Sequence, residues 1–343
     1  MRALFAHAAK DLRIEAVETP ALGERDIRVR IRFGGVCGSD LHYYQHGGFG
    51  AVRLKQPMIL GHEIAGVVEA VGAACARVKV GDRVAVNPSV PCNQCRYCLE
   101  GRQNQCLDMR FYGSAMRFPH VHGGFREELV CLETQAHVAP ENVSLEEAAM
   151  AEPLAVALHA TRRAGGLLGK RVLISGSGPI GALCALAARR AGAVEIVVTD
   201  IADGALGFAK RIGVDRTINI AREPQALDAA KADKGYFDVL FEASGAEAAL
   251  RLGLEVVRPG GVIMQLGLGG EMALPVNLVT AKELDLRGSF RFHEEFGQAL
   301  AFMGMGLIDV RPLISATVPF GDAVAAFDLA SDRSRSMKVQ IAF

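Results

Sequence analysis

The chain has no excess of either charge: Lys+Arg and Asp+Glu each count 38 in 343 residues. A polyanion partner needs a basic surface, so no nucleic acid is expected as a ligand. The N-terminal stretch MRALFAHAAK carries charge early and lacks the apolar core of an export signal, which predicts a cytoplasmic, reducing setting. No membrane partner is expected either. The uncharged stretch Val172 to Ala188 approaches membrane-span length, but Gly176, Ser177, Gly178 and Pro179 cut it near its start, and it reads as buried strand, turn and helix. Repeats and low-complexity segments are also missing. What remains is a chain that is 50% hydrophobic and long enough for about two domains.

Against this even background, Cys92, Cys95, Cys98 and Cys106 crowd into the run CNQCRYCLEGRQNQC. Their C-x2-C-x2-C-x7-C spacing points to one tetrahedral zinc ion, because zinc takes soft thiolates and a short loop is enough to wrap it. Two disulfides are the alternative, and the missing export signal disfavours them. A four-thiolate set leaves no position for water or substrate, so zinc chemistry needs a second site. Candidate ligands for it lie upstream. GGVCGSDLHYY supplies Cys37, Ser39, His42 and Tyr43, and LGHEIAGVVEAVG supplies His62 and Glu63. Too far apart for a local finger, Cys37, His62 and a carboxylate suit a site assembled by the fold with one position open. Glu152, in AEPLAVALHA, is the second carboxylate able to reach such a cleft. A buried free cysteine and a core histidine are the plainer readings of Cys37 and His62.

The first part of the chain, to about residue 150, sets short apolar runs such as Ile27 to Phe33, Ile64 to Val71 and Arg83 to Val86 between Gly and Pro, the pattern of short strands. From about residue 170, strand and helix alternate. Arg171 to Ser175, a helix from Pro179 to Ala191, and Glu195 to Asp200 are followed by strands at Phe237 to Glu242, Gly261 to Leu266 and Leu284 to Ser289. Such alternation predicts an α/β fold with a doubly wound parallel sheet. Mixed texture returns from about residue 291 and ends in a strand-like Lys338 to Phe343, with the expected hinge at the composition shift near 150 to 165.

In RVLISGSGPIG, Gly176, Gly178 and Gly181 form G-x-G-x-x-G between an apolar strand and a helix. The first glycine suits the tight turn, the second admits a pyrophosphate against the backbone, and the third allows close helix packing. Asp200 ends the next strand, where an acid accepts from ribose hydroxyls and repels a 2′-phosphate, so NAD is favoured over NADP. Lys210 and Arg211 are the nearby counterweights. A polar strand end or a helix cap is the plainer reading of Asp200.

Together, CGSDLHYY, GHE-x2-G-x-V-x3-G, GDRV, the four-cysteine loop, AEPLAVALHA, GSGPIG and GSFR resemble the zinc-dependent medium-chain alcohol and polyol dehydrogenases of the sorbitol dehydrogenase-like branch, over the whole chain. The segment DMRFYGSAMRFPHVHGGF after Cys106 is similar, more narrowly, to members that oxidise a sugar acid. The resemblance implies a GroES-like, β-rich catalytic domain over 1–152 and 291–343, with a structural zinc lobe at roughly 88–110, and a Rossmann domain over 153–290. It also implies two zinc ions, one catalytic and one structural, with NAD as cofactor and NADP used by some members. The catalytic zinc falls to Cys37 and His62 with Glu63 or Glu152, and Ser39 and His42 match the proton relay. Tyr43, Glu152 and Arg291 match polyol contacts. Ile180, Leu266, Gly267, Leu268, Ser289, Phe290 and Arg291 join the glycines and Asp200 around the dinucleotide.

There are departures from the family pattern. Many members of the wider family carry cysteine at the Glu152 position, Phe292 stands where sorbitol dehydrogenase has tyrosine, and Ala205 replaces a frequent basic residue near the adenosine. The activity implied is reversible oxidation of a secondary alcohol on a sugar acid or polyol. Arg110, Arg117, His120 and His122 are the candidates for a substrate carboxylate, and a homotetramer or homodimer is the family expectation. Cys75, Cys131 and Cys184 are expected to pack in the core.

Overall fold

A computed structural model describes residues 1–343. The strand Asp26–Gly35 is the axis of the first sheet. Its sequence buries Ile27, Val29 and Ile31 and turns Arg28, Arg30 and Arg32 outward, the two-residue period of a half-buried strand. Around it run strands 136–138, 83–86, 63–71, 26–35, 338–342 and 314–319 in that order, with 128–132 paired to 26–35 as well. The two last strands of the chain therefore complete a sheet begun by its first third, as the returning texture predicted. Gln340 lies opposite Gly35, and Gly35 lies opposite Glu63.

The second sheet holds six strands, in the order 216–219, 195–200, 171–175, 237–242, 257–265 and 285–288, and every pairing is parallel. Strand order reverses between 171–175 and 237–242, which opens a crevice beyond the carboxyl ends of the strands. Gly176, Asp200, the 243–245 turn, Leu266 to Leu268 and Ser289 to Arg291 all follow those ends. Strand Arg216–Asn219 was not anticipated from the sequence. It lies at the sheet edge, is short, and buries only Ile218 and Asn219, so it lacks an apolar run.

Helix Ala151–Ala164 links the two sheets. Its buried face, including Leu154, Leu158 and Ala164, shares one core with Val172, Leu183, Ile196 and Phe296. Leu4, Ile31, Phe125 and Phe327 belong to a separate core under the first sheet. No helix is long and apolar enough to cross a membrane.

Candidate active site

The four-cysteine loop closes on itself. Cys92 Sγ lies 3.5 Å from Cys106 Sγ and Cys95 Sγ 3.6 Å from Cys98 Sγ, too far for disulfide bonds, and all four sulfurs fall within 4.8 Å of one another. Backbone amides point at the sulfurs: Cys92 N–H and Asp108 N–H donate to Cys106 Sγ at 3.2 and 3.3 Å. Backbone donors at Leu107 and Cys98 hold the Cys95 thiol down to about 6, whereas burial pushes Cys98 up to about 12. A divalent cation relieves the second effect and profits from the first, so this donor set fits a structural zinc.

The second cluster is assembled across the fold, as its sequence spacing requires. Cys37 ends the run after strand 26–35 and caps helix Gly38–His46, while His62 immediately precedes strand Glu63–Val71, which Glu63 opens. One ligand atom from each lies within 4.8 Å of the others. Burial, then the Glu63 carboxylate, push the Cys37 thiol up to about 12. His62 is 5% exposed and its Nδ1 has no hydrogen-bond partner, although Asp40 Oδ1 stands 3.8 Å away. Glu152, in the first turn of helix 151–164, is buried with His62, Glu63, Cys37 and Lys338 as its charged neighbours. Burial pushes its carboxyl up to about 8 against the pull of His62. A thiol, an unsatisfied imidazole and a buried acid around one point fit a cation, and zinc is the ion this donor set suits.

Two residues of this cluster escaped sequence reasoning. Asp40 is fully buried and accepts from Cys37 N–H at 3.0 Å and Gly61 N–H at 3.2 Å, so it ties the Cys37 turn to the His62 segment. Its place three residues after the cap residue was the available signal. Lys338 donates to both oxygens of Glu63 at 2.7 Å, and nothing in the local pattern SMKVQIAF marks it.

Ser39 and His42 lie one turn apart on helix 38–46, Ser39 half-buried and His42 exposed. Partial burial, then His46 and Arg333, lower the His42 pKa. Tyr43 is buried and its Oη accepts from Ala115 N–H at 3.0 Å, which leaves the phenol proton to donate. Arg291 adopts φ 55° and stacks its guanidinium 4.2 Å from the Phe111 ring centroid. Desolvation brings its pKa down to about 10, opposed by the charge of Glu152 and then of Tyr43. Phe292 is buried against Phe296.

Three of the four loop candidates for a substrate carboxylate are committed elsewhere. Arg117 donates to the Met109 and Leu107 carbonyls and pairs with Asp108. His120 accepts from Lys55 N–H at 2.8 Å with its other nitrogen 2.7 Å from the Arg117 carbonyl, and His122 accepts from Ile59 N–H. These residues shape a loop, and Arg110 is simply exposed.

At the crevice, Gly176 takes φ 91°, and a Cβ on Gly181 would lie 1.8 Å from the Gly176 carbonyl oxygen. A Cβ on Gly178 would meet nothing within 4 Å, and Gly178 caps helix Pro179–Arg190 without a side-chain hydrogen bond. Open space over exposed helix-end amides fits a pyrophosphate. Asp200 turns toward that loop, accepting from Ser177 N–H at 2.6 Å and from the Ile201 and Ala202 amides at 2.7 and 2.9 Å. Leu266 and Gly267 amides donate to the Glu242 carbonyl, Leu268 and Phe290 are exposed, and Ser289 Oγ is buried without a partner. Exposed apolar side chains beside an unsatisfied hydroxyl fit a flat polar ring.

A glycine turn at the switch point of a parallel sheet, an open Cys–His–Glu cluster and a separate four-thiolate site together fit a zinc- and nicotinamide-dependent oxidoreductase. The alcohol dehydrogenase GroES-like domain family matches residues 23–141, and the zinc-binding dehydrogenase family matches residues 179–304. The chain is 46% identical over 316 residues to L-idonate 5-dehydrogenase (NAD(P)(+)) of Escherichia coli K12, covering 92% of this chain and 91% of that one. It is 38% identical over 309 residues to D-xylulose reductase A of Aspergillus oryzae, covering 88% and 85%. The crystal structure of the Escherichia coli L-idonate 5-dehydrogenase superposes with a TM-score of 0.95 at 44% identity, covering 100% of this chain and 98% of that one. The chain belongs to the zinc-binding medium-chain alcohol and polyol dehydrogenases, NAD(P)-dependent enzymes that join a GroES-like domain to a Rossmann domain.

Proposed function

We propose that this dehydrogenase oxidises the C5 hydroxyl of L-idonate to 5-ketogluconate, with NAD as the preferred acceptor. The observation that carries the reading is the 46% identity, over 92% of this chain, to a relative named for L-idonate, against 38% to D-xylulose reductase A. Arg291, at a position that matches polyol contacts, also offers a cation to the carboxylate of a sugar acid. The relative from Escherichia coli, named for L-idonate and NAD(P), supports the same substrate and acceptor class.

Cys37 and His62 hold the catalytic zinc with one of Glu63 and Glu152, and Cys92, Cys95, Cys98 and Cys106 hold the structural zinc. When bound, zinc polarises the substrate hydroxyl and the nicotinamide accepts hydride. The chain's own residues do the rest. Ser39 receives the hydroxyl proton and passes it through His42 towards solvent. Tyr43 donates to a substrate hydroxyl, and Arg291 fixes the far end of the molecule. Gly176, Gly178, Ile180, Gly181 and Asp200 orient the adenosine and pyrophosphate end. Leu266 to Leu268 and Ser289 to Arg291 exclude water beside the nicotinamide. Phe292 contributes no hydroxyl contact.

The catalytic unit comprises 1–152 and 291–343 and the dinucleotide unit 153–290, in a cytoplasmic homotetramer or homodimer. A second reading, a sorbitol or xylitol dehydrogenase, draws on the similarity to D-xylulose reductase A. Initial rates with NAD on L-idonate, sorbitol, xylitol and threonine separate the readings. L-idonate is expected to exceed the others at least about tenfold in kcat/KM. Equal or better turnover of a neutral polyol would overturn the sugar-acid assignment.

A further inference from the structure

The crevice rim at Asp200 is built from two neighbouring turns. Strands 195–200 and 216–219 run parallel with Asp200 opposite Asn219, and Ile220 N–H donates to the Asp200 carbonyl at 3.0 Å. Asn219 ties the turns together. Its side-chain amide donates to Asp203 Oδ1 at 2.6 Å and to the Ile201 carbonyl at 3.3 Å. Its side-chain oxygen accepts from the Ala221 and Arg222 amides at 3.2 and 3.3 Å, which fixes the start of the second turn. Arg222, far beyond Asp200 in the sequence, is thereby brought to the same rim.

There its Nη2 pairs with Asp203 Oδ2 at 2.7 Å, the two side chains being 73% and 50% exposed. Asn219 holds the other Asp203 oxygen, so the carboxylate is fixed and the guanidinium is drawn to it. An ion pair this exposed is weak, and a doubly charged phosphate competes with it for the guanidinium. The two basic residues that the sequence set against Asp200 lie further off. Lys210 and Arg211 close helix Asp203–Arg211, and at about 1.5 Å rise per residue they stand roughly 10–12 Å along it from Asp203. Arg211 is also stacked 3.9 Å from the Phe208 ring centroid, and Ala205 is buried and uncharged.

We propose that the Asp203–Arg222 pair sets the choice between NAD and NADP. A 2′-phosphate on a ribose held by Asp200 meets Asp200 and Asp203 as like charges, while Arg222 is withheld by Asp203. Released from Asp203, the planar guanidinium offers paired N–H donors to the phosphate oxygens. This deepens the proposed preference for NAD and rests on Asp200 as the acid that takes the ribose.

Affinities for NADPH and NADH, read by nicotinamide fluorescence on the whole protein, and kcat/KM with each oxidised cofactor test the pair. Asp203→Asn can still accept from Asn219 but gives up the charge that holds Arg222. In it the NADP-to-NAD ratios of affinity and of kcat/KM should both rise about tenfold. Arg222→Ala should lower both ratios at least about threefold below the wild type. Combining the two substitutions should erase most of the gain. Both side chains are exposed, so thermal melts should stay near the wild type; if Asp203→Asn does not fold, the fall in Arg222→Ala decides. A gain in the double variant equal to that of Asp203→Asn alone would overturn the role of Arg222, since the lost negative charge would then account for it. Ratios unmoved in either single variant would overturn the pair as well. A wild type that prefers NADP would instead sink the underlying assignment of NAD.

Discussion

Asn104, set between the third and fourth cysteines of the thiolate loop, donates its amide to the Phe290 carbonyl at 3.0 Å. The same amide nitrogen lies 3.5 Å from His159 Nε2 on helix 151–164. The four-cysteine loop is therefore fastened to the Ser289 to Arg291 stretch, which follows the last strand of the parallel sheet.

Asn104→Ala removes that fastening without touching a ligand. It should cost about 1 kcal/mol of stability and raise KM for NAD several-fold, with both zinc ions retained. Cys98→Ser removes a ligand and should cost far more stability, with one zinc lost. Thermal melts and metal analysis on the two proteins check the contrast, and equal losses would mean the loop is not clipped through Asn104.

Cys37→Ala or His62→Ala should lower the metal content from two zinc ions to one and reduce kcat by at least about a thousandfold. NAD binding, followed by nicotinamide fluorescence, should persist because the crevice glycines lie on another sheet. Substantial turnover by a one-zinc protein would refute the catalytic assignment.

Gly178 and Gly181 belong to one motif but predict opposite behaviour. A Cβ at Gly178 meets no protein atom within 4 Å, so Gly178→Ala should melt like the wild type while dinucleotide affinity falls roughly tenfold. At Gly181 the Cβ meets the Gly176 carbonyl oxygen at 1.8 Å, so Gly181→Ala should destabilise the fold by several kcal/mol even without cofactor. Calorimetry with and without NAD distinguishes the two.

Acid stability should report on Glu295. Burial raises its pKa, but hydrogen bonds from His159 at 3.0 Å and from His293 N–H at 2.9 Å outweigh burial and hold the carboxyl down to about 2, against an ordinary 4.5. A folded value below the unfolded one means the pair stabilises fully above pH 4.5 and loses that contribution as pH falls towards 2. The contribution is on the order of 3 kcal/mol. Glu295→Gln should be less stable than the wild type at pH 6, and the difference should shrink steadily as melts are taken to lower pH. A gap independent of pH would refute this linkage.

Most strands of the dinucleotide half were legible. Strands at 171–175, 195–200 and 237–242 coincide with the apolar runs because each is buried on both faces and so reads as an unbroken hydrophobic stretch. Strand 216–219 was illegible for the converse reason, as an edge strand with half its residues outside the core. Ligand types were readable at Cys37, His62 and the four clustered cysteines, since metal chemistry restricts which residues serve. The commitment of Arg117, His120 and His122 to backbone partners was not, because a histidine in a loop looks the same whether its nitrogens face substrate or a neighbouring amide.

By itself the amino-acid sequence determined the two-sheet class, the closed thiolate site, the nucleotide motif and the residues from which an open metal site must be drawn. These are local facts, carried by spacing, periodicity and the chemistry of single side chains. Only the tertiary structure decided what each carboxylate faces. Glu63 meets Lys338 because a strand from the end of the chain joins the sheet across Gly35, a contact between positions 275 residues apart. No local pattern encodes such a pairing, since backbone register and the space left by one missing Cβ create it.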